Sequence, residues 1–259
     1  MPDHRRNVFM VAGLLLALGI PELSGVPGCA TAFAQATDDN WRWTVTPYLW
    51  GSAVKTEIGF PSGQEIGGVA EFDEILDKLE IAGQVHVEGS RGEWGMFFDA
   101  TYLSLSDDGA RGPISTGAEI DTGIYEIAAL YTPGGESGRF TAIAGARIID
   151  LSLDMNFSGG FPGSPVTRSV DKSLTDFMVG GRYIGSFNDH WGFIVRADIG
   201  AGDTDSCWNA LAGINWRFGK ELDNAVTIGW RHMAIEVEQQ GLEIDVGFDG
   251  PIAGVSFGF

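Results

Sequence analysis

The last six residues of the chain constrain its fold more than any other stretch. In the segment 254–259, Val255, Phe257 and Phe259 alternate with glycine and serine, so a strand would place the three apolar side chains on one face. A strand embedded in a bilayer needs one lipid-facing apolar face and an aromatic residue in the girdle at its end. We therefore interpret Val255, Phe257 and Phe259 as the membrane-insertion and assembly signal of a transmembrane β-barrel.

The beginning of the chain has the features of a secretory signal peptide. Arg5 and Arg6 precede an apolar run at 8–20, and Ala32 and Ala34 flank Phe33 in an A-x-A cleavage site. The run is too short for a transmembrane helix, which needs about 20 residues. We predict a signal peptide at 1–34, cleaved near Ala34, and one barrel domain at 35–259. Lipoprotein processing at Cys29 is the alternative, but segment 26–28 is a poor lipobox.

Composition indicates how such a chain is stabilised and what it does not bind. The formal net charge is −19, which disfavours nucleic acid because a phosphate backbone would be repelled. After signal removal Cys207 is the only cysteine, so no internal disulfide can form. A barrel that satisfies all its backbone hydrogen bonds in lipid is the remaining source of stability.

Period-2 alternation recurs along residues 41–259 and predicts about ten strands, with eight or twelve as alternatives. One example places Trp191, Phe193 and Val195 on one face and Arg196 on the other. Short turns at 90–93, 133–138, 186–189 and 219–224 alternate with longer loops, including 55–78, 106–116 and 156–168. The predicted fold is an all-β, transmembrane, antiparallel up-and-down β-barrel in the outer membrane of a Gram-negative cell.

Charged residues in the strands fall on the face opposite the aromatic residues. An arginine at the bilayer midplane on the lipid face costs ~2–4 kcal/mol, so the lumen is the expected location. Opposite charges in a narrow lumen should pair, because an unpaired buried charge is costly. They would form a closed, charge-paired filling or line a narrow path for small solutes. The predicted lumen charge network comprises Arg42, Glu88, Asp99, Glu126, Arg147, Asp176, Arg182, Arg196, Asp198, Arg217 and Arg231.

Loop 55–78 contains a short amphipathic pattern. Phe72, Ile75, Leu76 and Leu79 follow helical spacing with acidic residues between them, which predicts one or two helical turns. Such a helix would plug the barrel mouth or pack on its rim.

The histidine and acidic residues give no catalytic arrangement. His86 and His190 lie toward the periplasmic ends of their predicted strands, and His232 follows Trp230 on the apparent lipid face. Barrel proteases and lipid A-modifying enzymes use such residues near the extracellular rim instead. We therefore expect no enzyme activity, no metal site and no cofactor.

Several segments resemble a family of uncharacterised bacterial outer-membrane β-barrel, porin-like proteins. They are segments 43–50, 72–79, 91–95 with Asp99, 145–147, 181–183, 197–200, 229–232 and 250–259. The resemblance implies an outer-membrane, porin-like barrel and carries no established substrate.

The predicted function is a narrow pore for small solutes or a structural envelope barrel. A surface adhesin or receptor acting through acidic loops is one alternative, and an outer-membrane hydrolase is a second. The expected partners are outer-membrane lipid and lipopolysaccharide and, through the C-terminal strand, the barrel-assembly machinery. We expect a monomer.

Overall fold

The computed structural model describes residues 40–60, 62–63, 65–70, 75, 79–111, 114–135, 138–158, 166–239 and 242–259. The predicted signal peptide at 1–34 lies outside these residues. Twelve strands account for most of the described chain: β1 Arg42–Trp50, β2 Ala53–Gly59, β3 Glu65–Ala70, β4 Leu79–Arg91, β5 Trp94–Arg111, β6 Ile114–Tyr131, β7 Phe140–Ser158, β8 Val166–Ser186, β9 Trp191–Gly202, β10 Ser206–Phe218, β11 Asn224–Gln239 and β12 Leu242–Gly258.

Ten of these strands form a closed antiparallel barrel in the order β1, β4 to β12, with β12 paired back to β1. Thr44 lies opposite Gly258 and Val45 opposite Phe257 at this closing seam. Two backbone hydrogen bonds of 2.9 Å join Trp43 and Phe259 just beyond the paired register. The predicted fold and the strand number of ten are therefore confirmed, and closure leaves the ten strands of the barrel without a free edge in the bilayer.

The remaining strands, β2 and β3, form a hairpin above the barrel wall. β2 continues the line of β1 and pairs with the upper part of β12, from Ala53 opposite Asp249 to Gly59 opposite Glu243. The segment 55–78 is therefore not a simple loop as predicted. Of the predicted plug helix, Ile75 is described and buried, and Leu79 begins β4. Phe72 and Leu76 lie outside the described residues.

The long strands β5 to β8 extend into segments predicted as loops. β5 continues to Arg111 and β6 begins at Ile114, inside the predicted loop 106–116. β7 reaches Ser158 and β8 starts at Val166, inside the predicted loop 156–168. Beyond the bilayer no lipid requires an apolar outward face, so the strands continue without the apolar alternation that marks them in lipid.

The outward face of the barrel is apolar in the part that crosses the membrane. Leu49, Phe177 and Ile228 are 70%, 81% and 63% exposed, as lipid-facing side chains should be. Outer-membrane barrels have their short turns on the periplasmic side. We therefore assign the end of the barrel that carries the short turns, the start of β1 and the end of β12 to the periplasmic side. Exposed aromatic residues near that end are Trp41, Trp43, Trp94, Phe140, Tyr183, Phe187, Trp191, Trp216, Phe257 and Phe259.

The buried core lies inside the barrel. One apolar cluster comprises Trp50, Ile124, Ile149, Cys207, Met233, Ile235 and Ile252, and a second comprises Phe97, Ala128, Leu130, Ile143 and Met178. In the part of the chain that the structure describes, no helix is long and apolar enough to cross a bilayer.

Candidate functional site: the interior of the barrel

Three arginines converge on the carboxylate of Glu126. Arg147 Nε donates to Glu126 Oε1 at 2.9 Å and Arg196 Nη2 donates to Oε2 at 2.7 Å. Arg231 Nη2 lies 3.5 Å from Oε1. Glu126 and Arg147 are register partners on β6 and β7, whereas Arg231 reaches across from β11 on the opposite wall. The contacts to Glu126 therefore connect the two sides of the barrel.

A second carboxylate, Asp198, completes this layer. Its Oδ1 accepts from Arg147 Nη2 at 2.5 Å, and its Oδ2 accepts from Arg196 Nε and Asn209 Nδ2, both at 2.9 Å. Arg231 Nε donates to Asn209 Oδ1 at 2.8 Å. The side chains of Glu126, Arg147 and Asp198 are fully buried. We name Glu126, Arg147, Arg196, Asp198, Asn209 and Arg231 the charge layer.

The first apolar cluster covers the charge layer on its extracellular side. On β11, Met233 and Ile235 follow Arg231 toward the extracellular end; on β7, Ile149 follows Arg147. Arg147 Nη1 donates to Cys207 Sγ at 3.0 Å, and the Arg231 guanidinium lies 4.5 Å from the centroid of the Trp50 ring. Apolar side chains therefore fill the lumen above the charge layer.

A second set of ion pairs lies on the periplasmic side. Arg182 on β8 forms a bidentate pair with Glu88 on β4, with donor–acceptor distances of 2.5 and 2.7 Å. His86 lies between two carboxylates, with Nδ1 3.0 Å from Asp99 Oδ2 and Nε2 3.3 Å from Glu88 Oε2. Tyr48 donates to Asp99 Oδ1 at 2.8 Å. Because β4 and β8 are separated by three strands, the Arg182–Glu88 pair also crosses the lumen.

Next to this pair the periplasmic half of the lumen contains a cavity of about 300 Å³. Ile143, Ile184 and Ile194 form an apolar wall. Hydroxyl and amide side chains form the opposite wall, and Arg196 and Arg231 of the charge layer line its deep end. The polar wall residues are Thr44, Thr46, Asn215, Thr227 and Ser256. We name this space the periplasmic cavity.

The fold and the lumen can now be compared with known proteins. No protein-family profile matches the chain, and no curated protein matches it in sequence. The outer-membrane protease OmpT from Escherichia coli is similar in structure, with a TM-score of 0.51 at 7% identity, covering 86% of this chain and 98% of that one. The attachment invasion protein Ail of Yersinia pestis covers 84% of this chain and 99% of its own, at 7% identity and a TM-score of 0.39.

The chain has the fold of bacterial outer-membrane β-barrel proteins. The toluene transporter TodX of Pseudomonas putida is also similar, at 9% identity and a TM-score of 0.24, over 85% of this chain and 90% of that one. A protease, an attachment protein and a transporter therefore occur among the similar structures. Their likeness to this barrel concerns the fold, and its function has to be inferred from its own side chains.

Three predicted network residues lie apart from both the charge layer and the periplasmic ion pairs. Arg42 is exposed at the first residue of β1, and Arg217 donates to Ser186 Oγ at 2.5 Å near a periplasmic turn. Asp176 is buried and accepts from the backbone N and Oγ1 of Thr204 at 3.0 and 2.7 Å. No arginine of the described segments pairs with Asp176, so this carboxylate stabilises the turn between β9 and β10.

Sequence reasoning missed four interior side chains that complete the charge layer or cover it. Asn209 links Asp198 to Arg231, Tyr48 contacts both Asp99 and Arg231, and Cys207 and Trp50 contact the arginines from above. All four occupy inward positions of the alternation, which was the available signal. Their small or uncharged side chains gave no reason to include them.

The three described histidines lie away from the inner extracellular rim. His232 faces outward, 2.9 Å from Asp249 Oδ1, and stacks on Trp208. His190 lies in the periplasmic turn and His86 lies beside the periplasmic cavity. Within the described segments no group of His, Cys, Asp and Glu side chains is arranged to hold a metal ion.

Proposed function

We propose that this protein is a structural envelope barrel with a closed, charge-paired lumen. The observation that carries the proposal is the convergence of Arg147, Arg196 and Arg231 on Glu126, with the first apolar cluster above them. A solute path would have to displace paired, buried charges, and breaking such pairs is costly. Small barrels are commonly filled by their side chains, which agrees with a closed interior.

The balance of interior charge supports closure. Around the charge layer and the periplasmic ion pairs, Glu88, Asp99, Glu126 and Asp198 face four arginines: Arg147, Arg182, Arg196 and Arg231. Selective pores instead use rings of one charge sign along their path. Opposite charges paired across the lumen, instead of a ring of one sign, favour a rigid filling.

The proposal treats the protein as a monomer that acts without catalysis. Its outward apolar face contacts outer-membrane lipid and lipopolysaccharide. Val255, Phe257 and Phe259 lie on the strand that closes the barrel against β1, where a signal for the barrel-assembly machinery would act late in folding.

Single-channel conductance in planar bilayers tests this proposal. Protein purified from outer membranes should give no steady conductance steps. A double variant, Glu126→Ala with Arg231→Ala, removes the contact across the lumen and should conduct if its heat-modifiable migration shows a folded barrel. Phe177→Ala, on the lipid face, is the matched control and should remain silent. Steady, salt-dependent steps from the native protein that change with Arg231→Gln would overturn the proposal in favour of a narrow pore.

A further inference from the structure

The periplasmic cavity differs chemically from the closed layer above it. Its carboxylates already have a partner at each oxygen: Glu88 accepts from Arg182 at both oxygens, and Asp99 contacts Tyr48 at one oxygen and His86 at the other. Ionised carboxylates only accept hydrogen bonds, so these side chains have little capacity left for a ligand donor. The cavity therefore discriminates against a ligand that needs a protein carboxylate.

Donor groups, in contrast, remain available in the cavity. Arg196 uses Nε and Nη2 for Asp198 and Glu126, which leaves Nη1. Asn215 accepts from Thr227 Oγ1 at 3.1 Å, and among the described residues its Nδ2 has no acceptor. Ser256 Oγ accepts from Thr46 at 2.8 Å and keeps its own O–H for a ligand. A guanidinium, an amide and a hydroxyl are thus left to donate, which is the requirement for an anionic head group.

The opposite wall and the volume define the rest of the ligand. Ile143, Ile184 and Ile194 would contact an apolar body, and about 300 Å³ is at the lower end of small-molecule sites. We propose that the periplasmic cavity binds a small amphipathic carboxylate, with its head toward Arg196 and Asn215 and its apolar body against the three isoleucines. This inference goes beyond the structural role proposed above and does not require a conducting lumen.

The ligand has to enter from the periplasm. Ala225, one residue from the start of β11, and Ser256, near the end of β12, lie opposite one another in register and both line the cavity. The charge layer and the first apolar cluster separate the cavity from the extracellular side. The protein would therefore take up or sense a periplasmic compound without transporting it across the membrane.

Isothermal titration of the purified barrel in lipid nanodiscs tests the proposal with three probes. The anions 2-naphthoate and octanoate should bind with one site per barrel. The cation 2-naphthylmethylammonium, which has the same aromatic body as 2-naphthoate, should bind on the order of tenfold or more weakly, because its charge faces two arginines at the deep end of the cavity and carboxylates that already have partners. Equal binding of the cation, or no binding of either anion to a folded barrel, would overturn the proposal.

Two pairs of variants locate the site. Asn215→Asp keeps the acceptor for Thr227 but replaces the free donor with a negative charge, and should weaken anion binding on the order of tenfold or more. Asn188→Asp adds the same charge at an exposed periplasmic turn, where its side chain still accepts from the backbone of His190 and Trp191, and should leave binding unchanged. Anion binding that is indifferent to Asn215→Asp would overturn the assignment.

The second pair of variants changes side-chain volume instead of charge. Ala225→Phe should block the cavity mouth and remove binding, whereas Ala253→Phe, on the outward face of β12, should not affect it. If Ala225→Phe loses heat-modifiable migration, the nearly isosteric Asn215→Asp pair decides the question. Conductance is measured separately, so failure of this proposal leaves the closed-lumen proposal intact, and the reverse also holds.

Discussion

The extracellular and periplasmic halves of the lumen are built by the same strands but packed differently. Toward the extracellular side, inward positions hold large side chains such as Trp50, Met233 and Ile235, which leave the space filled. Toward the periplasm, the same strands place small side chains inward, and a cavity remains. These small inward residues are Thr44, Thr46, Ala225, Thr227, Gly254 and Ser256. Side-chain volume at inward positions, and not strand number alone, therefore decides where this barrel is open.

The charge layer lies at the boundary between the two halves. On β11, Arg231 stands between Thr227 of the cavity wall and Met233 of the apolar cluster. On β6, Glu126 stands between Ile124 of the first cluster and Ala128 of the second. Its charges have the periplasmic cavity on one side and packed apolar side chains on the other. Charges beside the packed apolar side chains cannot be solvated by water, so their arginine and carboxylate partners must satisfy them.

The largest expected loss of stability comes from neutralising Glu126 in the charge layer. Glu126→Gln keeps the shape but removes the anion that three buried arginines share, and breaking a buried pair costs ~3–5 kcal/mol. The free energy of unfolding, measured by urea titration in lipid vesicles, should fall by about that amount. Glu119→Gln, at an exposed position of the same strand, is the control and should change it by less than about 0.5 kcal/mol. If the free energy of unfolding falls no further in Glu126→Gln than in Glu119→Gln, the three arginines find other partners.

A smaller loss of stability should show the difference in packing between the two halves of the lumen directly. Met233→Ala opens a void in the filled half, where the side chain is fully buried, and should cost ~2–5 kcal/mol. Ile194→Ala enlarges a space that already exists in the periplasmic half, so it should cost less than half as much. Urea titration of both variants under the same conditions gives the comparison. Equal losses would mean that the periplasmic half is packed as tightly as the extracellular half.

The barrel itself could be predicted from sequence because lipid imposes one simple rule on every spanning strand. An outward charge is costly in the bilayer, so Ile228 and Trp230 alternate with Thr227 and Arg231. The same rule identified β12 as a spanning strand from Val255, Phe257 and Phe259. Ten strands and antiparallel order were confirmed because most spanning segments carry this pattern independently of their neighbours, although it is blurred in β7.

The rest of the structure depends on features that local sequence does not carry. The β2–β3 hairpin lies outside the bilayer, where no lipid requires an apolar outward face, so no apolar alternation marked it within 55–78. Which charges meet depends on the register of the closed barrel, which sets Arg231 opposite Glu126 from a distant strand. Asp176 is an inward aspartate, as Asp99 and Asp198 are. It nevertheless accepts hydrogen bonds from Thr204, because the turn after β9 approaches it.

The smallest expected effect concerns the extracellular extension above both halves. Asp245 on β12 lies in register with Glu57 on β2 and Glu236 on β11, outside the membrane-embedded part of the strands. Burial, then the charges of Glu236, Glu57 and Glu243, raise the pKa of Asp245 above its ordinary value. A group whose pKa is raised in the folded state favours folding at low pH, and this contribution is lost as pH rises through the folded pKa. At neutral pH the ionised Asp245 therefore weakens the pairing of β2 with β12.

Asp245→Asn should accordingly strengthen this extension at neutral pH. Hydrogen-exchange protection of the β2 amides should increase at pH 7, and the gain should disappear below about pH 4, where the native carboxyl is protonated. Asp171→Asn, on β8, removes a carboxylate that accepts from Ser152 at 2.7 Å and should leave β2 protection unchanged. Protection that rises equally at both pH values would contradict a titration effect and point to altered packing at position 245. Unchanged protection at pH 7 would mean that Lys55, 2.9 Å from Glu57, already compensates the row of acids.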